Sequence, residues 1–184
     1  MDFKELKKKI LNDIKVEVSE EFDKNFERKA FFTQKWKERK IGQRGSLLEV
    51  RGGGGLRGSI RAEIVGDAVR WTSSLPYAGI HNWGGEISVT NKMKRFFWAK
   101  YYELCGKIKY KRDKKVTKAT MRYSREAEFY KNLALMKVGS KIHIPQRQFI
   151  GNSPEVEQAI ERAIEPTMGE LEDYLKEQLK QRKP

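Results

Sequence analysis

Two stretches decide how this chain is read: PYAGIHNWGG, residues 76–85, and IPQRQFIGNS, residues 144–153. In the first, Pro76 fixes the entry, Tyr77, Ile80 and Trp83 recur at helical spacing, and Gly84 and Gly85 stop the turn. It reads as a short helix whose aromatic side caps a sheet. In the second, Ile142 and Ile144 alternate as a short strand before Pro145, and Phe149-Ile150-Gly151 leads into a helix start. Ser153 is placed as an N-cap, Pro154 suits the first turn, and Glu155 and Glu157 complement the positive helix end. Val156, Ile160, Ala163 and Ile164 form that helix's apolar stripe. Pro166 is expected to kink or interrupt it, before Leu171, Tyr174, Leu175 and Leu179 resume the pattern.

Upstream, Phe3, Leu6, Ile10, Ile14, Val18, Phe22 and Phe26, with Leu11 beside them, draw one stripe along residues 3–30. A spacing of three or four predicts a long amphipathic helix with a solvated, charge-balanced outer face. Phe31, Phe32 and Trp36 follow as an aromatic knot that packs the helix onto the rest of the domain. Residues 41–58, rich in Gly and Arg and without periodicity, read as a loop. Gly53, Gly55 and Gly58 fit a G-x-G-x-x-G pattern, but that fingerprint needs a strand before it and a helix after it. The alternating strand 59–65 follows instead, so a glycine loop is the better reading than a nucleotide site. Gly66-Asp67 then turns the chain, and residues 68–72 pair back as a hairpin with Ile60, Ala62 and Ile64 on its buried face.

Charge is concentrated between the two landmarks. Lys and Arg against Asp and Glu number 17 and 13 in residues 1–91, 16 and 4 in residues 92–141, and 6 and 8 in residues 142–184, so the middle segment holds +12 of the chain's +14. It reads as an insertion with one helix over residues 96–105 and a second near 124–138, closed by Gly139-Ser140. Its lysines and arginines, with Lys107, Lys109, Lys111, Arg112, Lys114 and Lys115 at the centre, interleave with Phe96, Phe97, Trp98, Tyr101, Tyr102 and Tyr110. Such a mixture suits a sequence-indifferent nucleic-acid surface; aromatics packed inward beneath solvated lysines are the competing reading.

Composition narrows the class. At 184 residues, with nine Phe, seven Tyr and four Trp, the chain has enough large apolar surface for one folded domain. No apolar run reaches the roughly 18–20 residues of a membrane span, and no secretory leader follows Met1, so a soluble protein without a membrane partner is expected. Cys105 is the lone cysteine, and with only His81 and His143 there is no metal-ligand spacing. No metal and no cofactor is expected. His81 with Asp67 or Glu86 is a thin basis for a hydrolase, since a nuclease needs clustered carboxylates or a His pair beside a nucleophile.

The ordered set of landmarks resembles the bacteriophage virion morphogenesis proteins, also called tail completion proteins, of tailed phages and prophages. The likeness runs through Trp36 after the long helix, Leu47-Leu48, Leu56-Arg57-Gly58-Ser59-Ile60, Pro76-Tyr77-Ala78 closing in Gly84-Gly85, and residues 144–151 before the last helix. Gln148 stands where that family usually has a proline, and the loop between the two landmarks is unusually long. The resemblance implies a non-enzymatic structural protein of the virion neck or tail end. It would assemble in the host cytoplasm as a homo-oligomeric ring, a hexamer, that contacts head connector and tail proteins and helps heads join tails.

The fold expected is therefore α+β: a small antiparallel β-sheet flanked by long N-terminal and C-terminal helices, residues 1–184 as one domain with 92–141 as a basic helical insertion. Tyr77, Trp83, Gly84, Gly85, Pro145, Arg147 and Phe149 are the candidate assembly residues, with Tyr77 and Trp83 expected to bury area and Phe149 to anchor the chain. Arg147, a planar fork suited to bidentate contacts, is a candidate for a carboxylate across a subunit boundary. DNA in the lumen of the ring is a further candidate partner. A free-standing sequence-nonspecific nucleic-acid-binding protein using residues 92–141 is the alternative function, and a nuclease or toxin a second rival.

Overall fold

A computed structural model describes residues 3–38, 48, 55–112 and 115–181. Along the chain lie α1 (Phe3–Arg28), β1 (Ala30–Phe31), β2 (Gln34–Lys35), α2 (Leu56–Ser59), β3 (Ile60–Val65), β4 (Ala68–Ser73), α3 (Ala78–Trp83), β5 (Gly85–Ser88), α4 (Asn91–Cys105), a 3-10 turn (Lys118–Thr120), α5 (Met121–Leu135), β6 (Lys141–Ile144) and α6 (Pro154–Gln181). The fold is α+β. Among the described residues the strands form three antiparallel ladders, β1 with β2, β3 with β4 and β5 with β6. The described residues gather into two compact units: one from residues 3–36, 48, 55–83 and 146–181, the other from residues 37–38, 84–112 and 115–145.

The first unit is organised on α1. Of its stripe, Leu6, Val18, Phe22 and Phe26 are buried, while Phe3 is 78% exposed and adds nothing to the core. Each large apolar side chain taken out of water there stabilises the fold by about 1.5–3 kcal/mol. Phe26 packs with Trp36, Leu56, Ala78 and Phe149, and Val18 and Phe22 pack with Phe31, Val156 and Ala159. The aromatic knot thus does what its composition predicts, and Trp36 meets Phe26 edge to face at 5.7 Å. The expected loop over residues 41–58 lies largely outside the described residues; its end is helical instead, because Leu56, 1% exposed, docks into the core and turns the chain before β3.

The β3–β4 hairpin pairs Ile60 with Ser73, Ala62 with Trp71 and Ile64 with Val69. These six are the half-buried positions of the two strands, as alternation predicts. Trp71 meets Phe22 edge to face at 5.5 Å and donates from Nε1 to Ser19 Oγ at 2.9 Å, which fastens the ladder to α1. Lys7 pairs with Asp67 at the turn.

Helix α6 starts where the capping residues place it: Ser153 accepts Val156 N–H through its carbonyl at 3.0 Å and through Oγ at 3.4 Å. The Glu155 carboxyl is held below its ordinary range, chiefly by a backbone N–H of its own residue and then by the Ser153 hydroxyl. The expected interruption at Pro166 does not occur, for the helix runs on to Gln181. Contacts with α1 straddle the proline: Arg162 to Glu17 at 3.2 Å, Thr167 to Asp13 at 3.2 Å, and Lys9 to Glu170. As numbers rise in α6 they fall in α1, so the helices run antiparallel. Side-by-side packing offsets the backbone bond that a ring nitrogen cannot donate to the Arg162 carbonyl.

In the second unit, β5 and β6 pair Gly85 with Ile144 through to Ser88 with Lys141. Val89, 1% exposed, exchanges backbone bonds with Ser140 and Gly139 at 2.8 and 2.9 Å, so the arm between them leaves and returns at one point. Thr90 caps α4 by accepting Met93 N–H at 3.2 Å, which starts that helix five residues before the expected position. Phe97, Leu104, Ala127 and Ala134 are the buried residues of the α4–α5 hairpin.

Pro166 and Gly169 are both exposed, and a methyl group built on Gly169 would touch nothing within 4 Å. Pro166→Ala should raise unfolding stability by about 1–3 kcal/mol, through a restored backbone bond and a lost ring clash. Gly169→Ala should add about 0.5–1 kcal/mol. Urea titrations of the two variants against the parent check both signs.

Candidate functional site

The second landmark enters the first unit as an extended segment with, among the described residues, no strand beside it. Its backbone groups are satisfied one at a time. Arg147 N–H donates to the His81 carbonyl at 2.8 Å. The Gln148 carbonyl accepts Trp36 Nε1–H at 2.6 Å, and the Phe149 carbonyl accepts from Asn25 Nδ2 at 3.3 Å. Asn82 Oδ1 takes both Phe149 N–H at 2.9 Å and Ile150 N–H at 3.1 Å. Asn25, itself fully buried, also accepts Phe32 N–H at 2.9 Å and so holds the chain reversal after β1, where Phe32 has a φ of 51°. A buried peptide group without a partner costs about 1–3 kcal/mol, so this set of side chains stands in for a missing sheet neighbour.

The two landmarks therefore do meet, through His81 and Asn82 on one side and residues 147–150 on the other. Phe149, 0% exposed, is the anchor expected of it. Arg147 is buried, which rules out plain solvation of its side chain. Gly84 and Gly85 have φ of 70° and 143°, values that residues with a Cβ avoid, and this lets α3 pass directly into β5. Pro145 follows β6 and is half-buried.

Tyr77 and Trp83 go the other way. Instead of burying area they are 41% and 66% exposed, and the buried residues of α3 are Ala78 and Asn82. On a helix of six residues anchored by Asn82, residue 83 falls off the inward face. Trp83 borders an open groove of about 390 Å³ lined also by Phe22, Trp71, Ile150, Val156 and Ile160. Sequence reading missed Asn82 and Asn25, since an Asn inside a helix looks like an exposed or capping residue. It also missed β5, although Glu86-Ile87-Ser88-Val89 alternates polar and apolar residues.

In the basic arm, Lys107, Lys109, Lys111, Arg112 and Lys115 are all exposed, and Lys114 lies outside the described residues. Phe97 is buried, while Phe96, Tyr102 and Tyr110 are at least half exposed, so neither reading of the aromatics holds for all of them. Glu103 sits between Lys100 and Lys107, at 2.7 and 2.6 Å, and their hydrogen bonds lower its carboxyl to about 2. Asp67 is paired with Lys7, and Glu86 stands opposite His143 in the β5–β6 ladder. Among the described residues no three His, Cys, Asp or Glu side chains converge as a metal site would require, and no helix is long and apolar enough to cross a membrane.

A small α+β scaffold of this kind, closed around a clamped peptide segment and showing a bare tryptophan, has the character of a structural and assembly protein. The model of the phage virion morphogenesis family matches residues 24–169, and the chain belongs to that family. Its role is in building the phage virion, with which such a protein is associated. No curated protein and no solved structure gives a match.

Asn82→Ala should remove the shared acceptor of two buried N–H groups and destabilise the fold by about 2–5 kcal/mol. Gly151, with φ of 151° and a Cβ position that would run into Gln148 Nε2, should lose about 1–3 kcal/mol as alanine. Chemical denaturation of each, followed by tryptophan fluorescence, measures both.

Proposed function

We propose that copies of this chain close into a homo-oligomeric ring, a hexamer, at the tail end or neck of the virion, where it completes the tail and helps join it to the head. The observation that carries this reading is Trp83, 66% exposed beside an apolar groove in a protein whose family builds virions. Leaving an indole and a groove of aromatic and aliphatic side chains in water is unfavourable, and covering them with a neighbouring copy recovers that free energy. A contact between different surfaces of identical subunits either closes or grows into filaments, and a virion component of fixed size requires closure. Head connector proteins on one face and tail proteins on the other are the partners this role entails. Assembly takes place in the host cytoplasm and involves no reaction.

Because Trp83 is exposed, Trp83→Glu separates assembly from folding. Light scattering over a concentration series should give a ring mass for the parent and a single-subunit mass for the variant, with the same far-ultraviolet circular dichroism showing that the variant is folded. A parent that remains one subunit at every concentration overturns the ring. Phage made without the chain should accumulate separate heads and tails in electron micrographs; normal joined particles overturn the joining role.

A further inference from the structure

The charge of residues 92–141 sets them apart from the rest of the chain. Elsewhere the chain keeps its charges near balance, with 17 basic against 13 acidic in residues 1–91 and 6 against 8 in residues 142–184, yet the arm holds 16 against 4. Crowding like charges together opposes folding unless a polyanion relieves it. Much of the excess lies on the connection between α4 and α5, and that connection is held in a definite shape. Thr120, 7% exposed, bonds through its hydroxyl to both the N–H and the carbonyl of Lys109, at 3.2 and 3.1 Å. Thr117 N–H donates to the same carbonyl at 3.0 Å, Tyr110 bridges to Val116, and Lys111 N–H donates to the Lys115 carbonyl at 2.8 Å.

The result is a tight hairpin that projects its cations. Lys109 and Lys111 are two residues apart on extended backbone and so share a side, about 6.6 Å from one to the next. Among the described residues, no carboxylate lies within ion-pair distance of Lys109, Lys111 or Arg112, in contrast to Lys107, which Glu103 engages. Between the two lysines Tyr110 is 62% exposed, and Tyr102, near the end of α4, is 66% exposed. Cations held ready without internal partners suit phosphate oxygens, and bare aromatic rings beside them suit the faces of bases.

We infer that the hairpin between α4 and α5 is a sequence-indifferent binding site for the phosphate backbone of nucleic acid, with Lys109, Lys111 and Arg112 as its phosphate contacts and Tyr110 as a stacking surface. The site belongs to each subunit and does not depend on ring formation, so a single copy binds as well.

Fluorescence anisotropy of the full chain with a labelled 30-base-pair duplex, a duplex of shuffled sequence and a single strand of equal length tests this. About three phosphate contacts predict equal affinity for the two duplexes and a roughly 40-fold loss between 50 and 200 mM salt. Lys109→Ala/Lys111→Ala/Arg112→Ala should flatten the salt slope by about three units, with an unchanged thermal midpoint. The same charge removed elsewhere, by Lys8→Ala/Lys35→Ala/Arg70→Ala, should leave the slope nearly intact. A stronger grip on the single strand that Tyr110→Ala abolishes supports the site with its stacking surface; a stronger grip on duplex removes Tyr110 from the site. Equal losses in the two triple variants, salt-independent binding, discrimination between the duplexes, or binding to phosphatidylserine vesicles but to neither nucleic acid overturns it.

Discussion

The first unit depends on four consecutive residues, 147–150, that cross its interior as bare backbone. A strand in that position would ordinarily share its N–H and carbonyl groups with a neighbouring strand. Here the partners are side chains and one carbonyl brought from three distant places: Asn25 on α1, Trp36 after β2, and His81 with Asn82 on α3. Each bond spans 66 or more residues of sequence, and Asn25 to Phe149 spans 124. The segment cannot be satisfied until α1, the aromatic knot and α3 are all in place, which ties the unit into one cooperative structure. Phe149 adds apolar weight at the same point, buried against Phe26 at 5.3 Å between ring centres.

This arrangement divides the two sequence landmarks by task. Asn82, Arg147 and Phe149 are turned inward and consumed by folding, Gly84 and Gly85 serve the backbone path, and Trp83 and Tyr77 are left at the surface. Neighbouring residues on one short helix thus do opposite things, because a helix turns by about 100° per residue. That split leaves the Trp83 indole in solvent beside a fully anchored neighbour.

Much of the architecture was legible in the residues. The stripe of α1, the hairpin after Gly66-Asp67, the cap at Ser153 and the helical nature of the arm follow from periodicity and turn chemistry that act locally. What escaped were features decided by tertiary partners. Pro166 carries a local signal to end a helix, and α1 overrides it through bonds on either side. Glu86-Ile87-Ser88 is too short to announce itself as a strand without β6, 53 residues away where Ser88 meets Lys141. Asn25 and Asn82 have no pattern at all, since their value comes from orphaned peptide groups supplied by a segment far along the chain. Aromatic residues were recognised as important but not sorted: hydrophobicity alone does not tell Phe97, which is buried, from Phe96, which is half exposed.

The reciprocal backbone bonds at Val89, to Ser140 and Gly139, have a consequence for how such a chain changes over generations. Everything from Thr90 to Val138 is strung between two points already fastened together. An arm mounted this way can be lengthened, trimmed or recoloured in charge by insertion and deletion without shifting the register beneath it. Evolution is thereby offered a replaceable attachment on a fixed mount.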